Sequence, residues 1–88
     1  MSENQESASR PFRPERLYRT EEVLRATGIS RQVLYRYITL GFITPAKVTD
    51  TGRRLFDESV FGRLELIREL NQSGYTLQEI RETFFRRH

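Results

Sequence analysis

The sequence holds no cysteine, one histidine and one lysine, and each scarcity removes a class of function. Without cysteine there is no disulfide framework, no thiolate metal site and no cysteine nucleophile. That usage fits a reducing compartment. The single histidine, His88, is the final residue, so no oriented imidazole base is expected. No apolar run approaches the roughly 20 residues that cross a bilayer. The first sixteen residues, MSENQESASRPFRPER, are too polar for a secretory signal. With 88 residues and 36% apolar side chains, the chain supports one small domain rather than an enzyme fold around an enclosed cavity. Glycine is sparse too, and no phosphate-cradling loop is present: Gly28, Gly41, Gly52 and Gly74 each mark a turn or a helix end. Gly62 alone falls inside a helical stretch, at a cost of about 1 kcal/mol. Close approach of a neighbouring helix is the expected reason for it. The chain is therefore read as a non-enzyme, with no cofactor and no metal site.

What the sequence does have is arginine, unevenly placed. Residues 1–30 carry five Arg against five Glu, and residues 55–88 carry five Arg against six acids. Residues 31–54 instead carry Arg31, Arg36, Lys47, Arg53 and Arg54 against Asp50 alone. A polyanion would find its positive field in that central segment. Arginine's planar fork suits phosphate oxygens and guanine edges. A basic face that is merely solvated meets the same description, so charge alone does not decide.

Helix-start signals punctuate the chain after residues 1–16, which read as a disordered arm ahead of a domain at 17–88. Thr20 precedes Glu21 and Glu22, acids suited to the positive end of a helix dipole. Gly28 ends that first helix, expected over about 20–27. Ser30 caps the second, expected over about 31–40, with Ile29 and Leu34 at the spacing of a hydrophobic staple. Asp57 repeats the device with Phe56 and Phe61, and Thr76 with Tyr75 and Ile80. Glu79 completes a capping box at the last of these. Between the second and third helices, Phe42-Ile43-Thr44-Pro45 reads as an extended link. Two short β-leaning runs, Lys47-Val48-Thr49 and Arg53-Arg54-Leu55-Phe56, flank the glycine-ended loop Asp50-Thr51-Gly52. The expected fold is mainly α: four helices, with a two-stranded β-hairpin wing between the second and the third. A tight glycine-containing link between two helices, followed by such a wing, is the pattern of a winged helix-turn-helix.

On a 3.6-residue period, Val33, Leu34, Tyr37 and Ile38 share one face of the second helix, facing Val23 and Leu24 of the first. The other face carries Arg31, Gln32, Tyr35, Arg36 and Thr39, without an acid. In a major groove, Arg binds guanine, Gln binds adenine and Tyr reaches phosphate. Tyr37 sits on the packing face, with only its hydroxyl free for such a contact. The third helix, by contrast, mixes Glu58, Arg63, Glu65, Arg68 and Glu69, as solvated helices do. On the wing, Lys47, Arg53 and Arg54 are placed to clamp phosphate and fix register. In the plainer alternative they only blunt an exposed hairpin edge. Near the end of the chain, Phe84 and Phe85 are candidates for a small interface, with at least one of them expected in the core.

The stretches TEEVLRATGISRQVLYRYITLGFI, P-A-K with TGRRLF, and RLELIRELNQSGYTLQEI, in order and with matching spacing, resemble the DNA-binding domain of the MerR family of bacterial transcription regulators. The resemblance runs from Leu17 to about Phe85. It implies a winged helix-turn-helix that binds double-stranded promoter DNA, commonly as a dimer that distorts an over-long spacer so that RNA polymerase engages. It places Ser30 to Tyr37 in the major groove, and Lys47 and Arg54 on wing phosphates. The DNA-contacting set is then Ser30, Arg31, Gln32, Tyr35, Arg36, Tyr37, Lys47, Arg53 and Arg54, and the setting is a bacterial cytoplasm, with the nucleoid as its site. The chain departs from the family pattern in three ways. Arg-Tyr-Tyr-Glu is here Tyr35-Arg36-Tyr37-Ile38, the first wing aromatic is Arg53, and the sequence stops at His88 without the long dimerising helix and effector domain. The first two bear on DNA sequence preference rather than on binding. The third leaves a DNA-binding fragment, or a minimal protein that dimerises otherwise, cooperates along DNA or uses a partner protein. Two rival readings stand beside a promoter regulator: a protein-interaction module of the chaperone-modulator type, which should have lost the basic face, and an excisionase-like protein that bends DNA.

Overall fold

The computed structural model describes residues 16–85. The expected arm, Phe12 included, lies outside the described residues except for Arg16, and so does His88. The elements run β1 (Tyr18–Arg19), α1 (Thr20–Thr27), α2 (Arg31–Leu40), β2 (Lys47–Val48), β3 (Arg54–Phe56), α3 (Ser59–Gln72) and α4 (Leu77–Phe84). The four expected helices are present in the expected order. The wing is not an isolated two-stranded hairpin, however: β3 is the middle of a three-stranded antiparallel sheet ordered β1-β3-β2. Tyr18 lies opposite Phe56 and Arg19 opposite Leu55. Lys47 faces Leu55 and Val48 faces Arg54 on the other side. A strand of two residues has no alternation to read, so β1 leaves no trace in the hydrophobic pattern.

Each turn follows from local chemistry. Gly41 ends α2 at φ +88°, a conformation that a side chain would strain. Its N–H donates to the Ile38 carbonyl at 3.1 Å, and the Phe42 N–H donates to the Tyr37 carbonyl at 2.9 Å. This is a Schellman ending, and its hydrophobic contact is the edge-on pair of Tyr37 and Phe42, with centroids 5.5 Å apart. At the hairpin tip the Gly52 N–H donates to the Thr49 carbonyl at 2.9 Å, and the Thr49 N–H donates to the Arg53 carbonyl at 2.9 Å. Gly52 itself takes φ +85°. A turn closed by a left-handed glycine is the three-residue loop that the sequence suggests.

The helix starts differ from expectation in two places. Thr20 is not the cap of α1: it is the first helical residue and is buried, and Arg19 takes the extended cap position. The Arg19 N–H donates to Glu22 Oε1 at 2.7 Å, which holds the Glu22 carboxyl below its ordinary value of 4.5. Pairing of Arg19 in β1 keeps it extended up to the helix, and this shifts the cap back by one residue. At α3 the cap position falls on Glu58, in helical geometry and without a side-chain cap bond, while Asp57 one residue earlier accepts the Ser59 N–H on its Oδ1 at 2.9 Å. The first turn is tighter than α: the Val60 N–H reaches the Asp57 carbonyl and the Phe61 N–H the Glu58 carbonyl, both at 3.2 Å. The capping box of Thr76 and Glu79 forms as expected. Ile80 is taken up by the core, and Tyr75 meets Phe84 edge-on at 5.6 Å.

One core serves the whole fold. Val23 of α1, Leu34 of α2, Phe56 of β3, Val60, Leu64 and Ile67 of α3, and Ile80 of α4 are buried together. The link after α2 adds Phe42 and Ile43, so a segment that reads as a connector is a core wall. Full burial of such a side chain is worth about 1.5–3 kcal/mol. Of the two terminal rings, Phe85 packs on Phe42 with centroids 5.1 Å apart, and Phe84 stays largely open.

Gly62 does not serve the close approach expected of it. It is exposed in α3, and a Cβ added there would meet nothing within 4 Å. Gly62→Ala should therefore stabilise the domain by about 1 kcal/mol. Thermal unfolding followed by circular dichroism should show a Tm higher by roughly 4–8 °C.

Candidate nucleic-acid interface

α1 and α2 meet through a tight turn. Gly28, at φ +81°, ends α1 by donating to the Leu24 carbonyl at 2.8 Å. The Thr27 hydroxyl donates to the Val23 carbonyl at 2.7 Å and accepts the Ile29 N–H at 3.4 Å. Ser30 then caps α2, its Oγ accepting the Val33 N–H at 3.1 Å. Ser30 is thus exposed, but its hydroxyl is committed to the helix start.

The two faces of α2 divide as the period requires. Leu34 is buried, and Val33, Tyr37 and Ile38 are half-buried. Arg31, Gln32, Tyr35, Arg36 and Thr39 are exposed. Tyr37 belongs to the packing side through its contact with Phe42.

The sheet sets the wing's side chains. Residues two apart in a strand share a face, so Arg54 leaves β3 on the same side as the buried Phe56. Val48, directly opposite Arg54, shares that face and is 59% exposed. Lys47, opposite Leu55, lies on the other face. The wing cations are therefore split, with Arg54 and Lys47 leaving the ribbon from opposite sides. Arg53 lies between the turn and the strand, exposed, its N–H donating to Thr49 Oγ1 at 3.1 Å.

Helix and wing meet at Tyr35. The Arg54 guanidinium carbon lies 4.9 Å from the centre of the Tyr35 ring. One turn earlier on the helix, Arg31 Nη1 donates to the Tyr35 hydroxyl at 3.5 Å. The structure thus brings Arg31, Tyr35 and Arg54 together, with Gln32 and Arg36 exposed on the same helix face. Among the described residues, none of the five central cations pairs with a carboxylate. Arg68 on α3 is the contrast, since it bonds Glu65 on its own helix. That bond lowers the Glu65 carboxyl from its ordinary value and raises the Arg68 guanidinium.

Arg63 departs from its expected place on a merely solvated face. Its Nη1 donates to the Phe42 carbonyl at 3.2 Å, and its guanidinium lies 5.2 Å from the centre of the Phe85 ring. It ties α3 to the link between α2 and the wing. A lone arginine in a mixed-charge helix gives no sequence signal of such a brace.

Two helices joined by a tight glycine turn, with a β-wing laid beside the second, define a winged helix-turn-helix domain. Residues 18–85 match the family described as MerR HTH family regulatory protein, and the chain belongs to that family. It is 36% identical over 66 residues to the nodulation protein NolA of Bradyrhizobium sp. (strain NC92), covering 75% of this chain and 28% of that protein. To the HTH-type transcriptional activator mta of Bacillus subtilis (strain 168) it is 31% identical over 65 residues, covering 74% of this chain and 25% of that protein. The chain thus spans less than a third of the length of these curated relatives. Among solved structures it resembles the N-terminal part of the Bacillus subtilis multidrug transporter activator, MtaN, with a TM-score of 0.72 at 28% identity, covering 81% of this chain and 67% of that one. It also resembles HiNmlR, described as a MerR family regulator lacking the sensor domain and bound to promoter DNA. There the TM-score is 0.67 at 25% identity, covering 76% of this chain and 53% of that one.

Removing the cap of the exposed helix tests whether Ser30 acts through the backbone. Ser30→Ala should cost about 1 kcal/mol of stability in urea unfolding. Hydrogen exchange should quicken at the Val33 amide first.

Proposed function

We propose that this domain binds double-stranded promoter DNA as the reading head of a MerR-type transcription regulator, without enzymatic activity. α2 enters the major groove, where Arg31, Gln32 and Arg36 meet base edges and nearby phosphates. Arg54, Arg53 and Lys47 of the wing hold phosphate and set register, and the hydroxyls of Tyr35 and Tyr37 reach the backbone. Ser30 fixes the start of the reading helix, whose positive end favours a phosphate. The working setting is the cytoplasm, at the nucleoid, with a second copy of the chain or a partner protein on the neighbouring half-site and RNA polymerase as the downstream partner. Residues 17–88 form the binding unit, with residues 1–16 as its arm.

The observation that carries the reading is the Arg54–Tyr35 contact at 4.9 Å. It joins Arg54 of the wing to the acid-free face of α2, so a cation of one charged segment lies beside the cations of the other, while Lys47 leaves the ribbon on its opposite side. A partner-binding module of this family would have no need of an acid-free face on α2, and the face is intact. HiNmlR, a related regulator bound to promoter DNA, supports promoter DNA as the ligand of this domain.

If the five central cations meet phosphates or adjacent bases, log K for a duplex should fall against log salt with a slope of roughly −4. A titration at low salt that retains no duplex would overturn the proposal. The roles of helix and wing should also separate. Arg36→Ala should weaken the preferred duplex by about tenfold and random duplex far less, whereas Arg54→Ala should weaken both alike. Duplexes selected from a random pool supply the preferred site, and an inverted repeat among them would reveal a dimer and its spacing.

A further inference from the structure

Resting on that DNA-binding reading, we infer that Tyr35 is a positioning residue that locks the wing to the reading helix: it carries Arg54 on its ring and Arg31 on its hydroxyl, so that the three form one phosphate-binding fork. Three observations meet here. The ring of Tyr35 lies 4.9 Å under the Arg54 guanidinium carbon, and its hydroxyl accepts from Arg31 at 3.5 Å. Tyr35 is 37% exposed, so the fork opens to solvent rather than into the core. No carboxylate among the described residues pairs with either guanidinium.

Two cations gathered on one phenol repel each other, and the arrangement relaxes when an oxyanion comes between them. A phosphodiester oxygen has the charge, size and acceptor geometry to accept from both forks at once. The phenol does two jobs with two parts. Its π-face holds Arg54 by charge–quadrupole attraction, which needs a ring and not a hydroxyl. Its oxygen orients Arg31 and needs the hydroxyl. The wing has little else to fix its tilt at that end, since β2 is two residues long and Val48 beside Arg54 is open. A Tyr35 that holds Arg54 in place lets the wing reach phosphate at a set distance from the groove.

The test is a double-substitution cycle on the full chain with a selected duplex at low salt, combining Tyr35→Leu, Tyr35→Phe and Arg54→Ala. All these side chains are exposed, and circular dichroism verifies that each variant is folded. Tyr35→Leu should lose about two- to five-fold in affinity, the range of an exposed cation–π contact, through its coupling to Arg54. The loss in Tyr35→Leu/Arg54→Ala should fall short of the product of the single losses by the same factor. Tyr35→Phe should keep that coupling. Losses that multiply freely, or a Phe variant as uncoupled as the Leu variant, would overturn the inference. In the free chain, the Arg54 δ-proton resonances should lie upfield of free arginine in the wild type and in Tyr35→Phe, and return in Tyr35→Leu. Resonances at the free-arginine position in the wild type would also overturn it. If no variant retains duplex, the DNA-binding proposal fails on its own account, and the proton shifts still decide whether Tyr35 holds the wing.

Discussion

Side-chain alternation along β3 is the constraint on which the arrangement of charge depends. Phe56 is fully buried in the single core and fixes which face of the strand looks inward. A slip of one residue would carry that ring into water and turn every other side chain of the strand over. With Phe56 seated, Arg54 must leave from the same face, just beyond the edge of the core, where the exposed side of α2 begins. Lys47 and Leu55 must take the other face. The position of the wing's principal cation thus follows from the burial of an aromatic ring two residues away.

Helix α2 is held by the same core in a different way. Leu34 sets its rotation, and the Schellman ending at Gly41 sets its length. Phe42 and Ile43, buried directly after it, pin the chain before it turns into β2. Arg63 then holds the Phe42 carbonyl from α3. Helix and wing are therefore two projections rooted in one packed body, which fixes the base of the wing and leaves its outer end to the contact with Tyr35. This matters because duplex phosphates recur at fixed spacing, and contacts that position a protein on them must hold that spacing as well. A looser joint would leave each arginine attractive but would lose register.

Much of this is legible from residue order, because the decisive signals are local. The caps at Ser30 and Thr76, the left-handed glycines at positions 28, 41 and 52, and the apolar period of α2 act within a few residues of themselves. They place the helices, the hairpin and the exposed basic face. What stays hidden depends on contacts between distant segments. β1 exists only because Tyr18 and Arg19 find Phe56 and Leu55, and that pairing also moves the α1 cap off Thr20. Arg63 reads as one more charge on a solvated helix until its guanidinium is seen beside Phe85. The meeting of Tyr35 and Arg54 needs both the strand face and the helix rotation, and neither segment encodes it alone.

The order of charge and ring in α2 takes on a structural meaning from that meeting. The family pattern that this chain resembles has Arg-Tyr-Tyr-Glu where this helix has Tyr35-Arg36-Tyr37-Ile38. An arginine at position 35 would set a guanidinium against that of Arg54, and the like charges would force the wing outward. A ring at 35 turns the same approach into an attraction, while Arg36 returns the displaced charge to the helix one position later, still on the exposed face. Ile38, in place of the acid, lies half-buried against the core, so no carboxylate stands ready there to neutralise Arg31 or Arg54. The departures at 35, 36 and 38 together put a ring beside Arg54, leave Arg36 exposed and remove an acid from that helix.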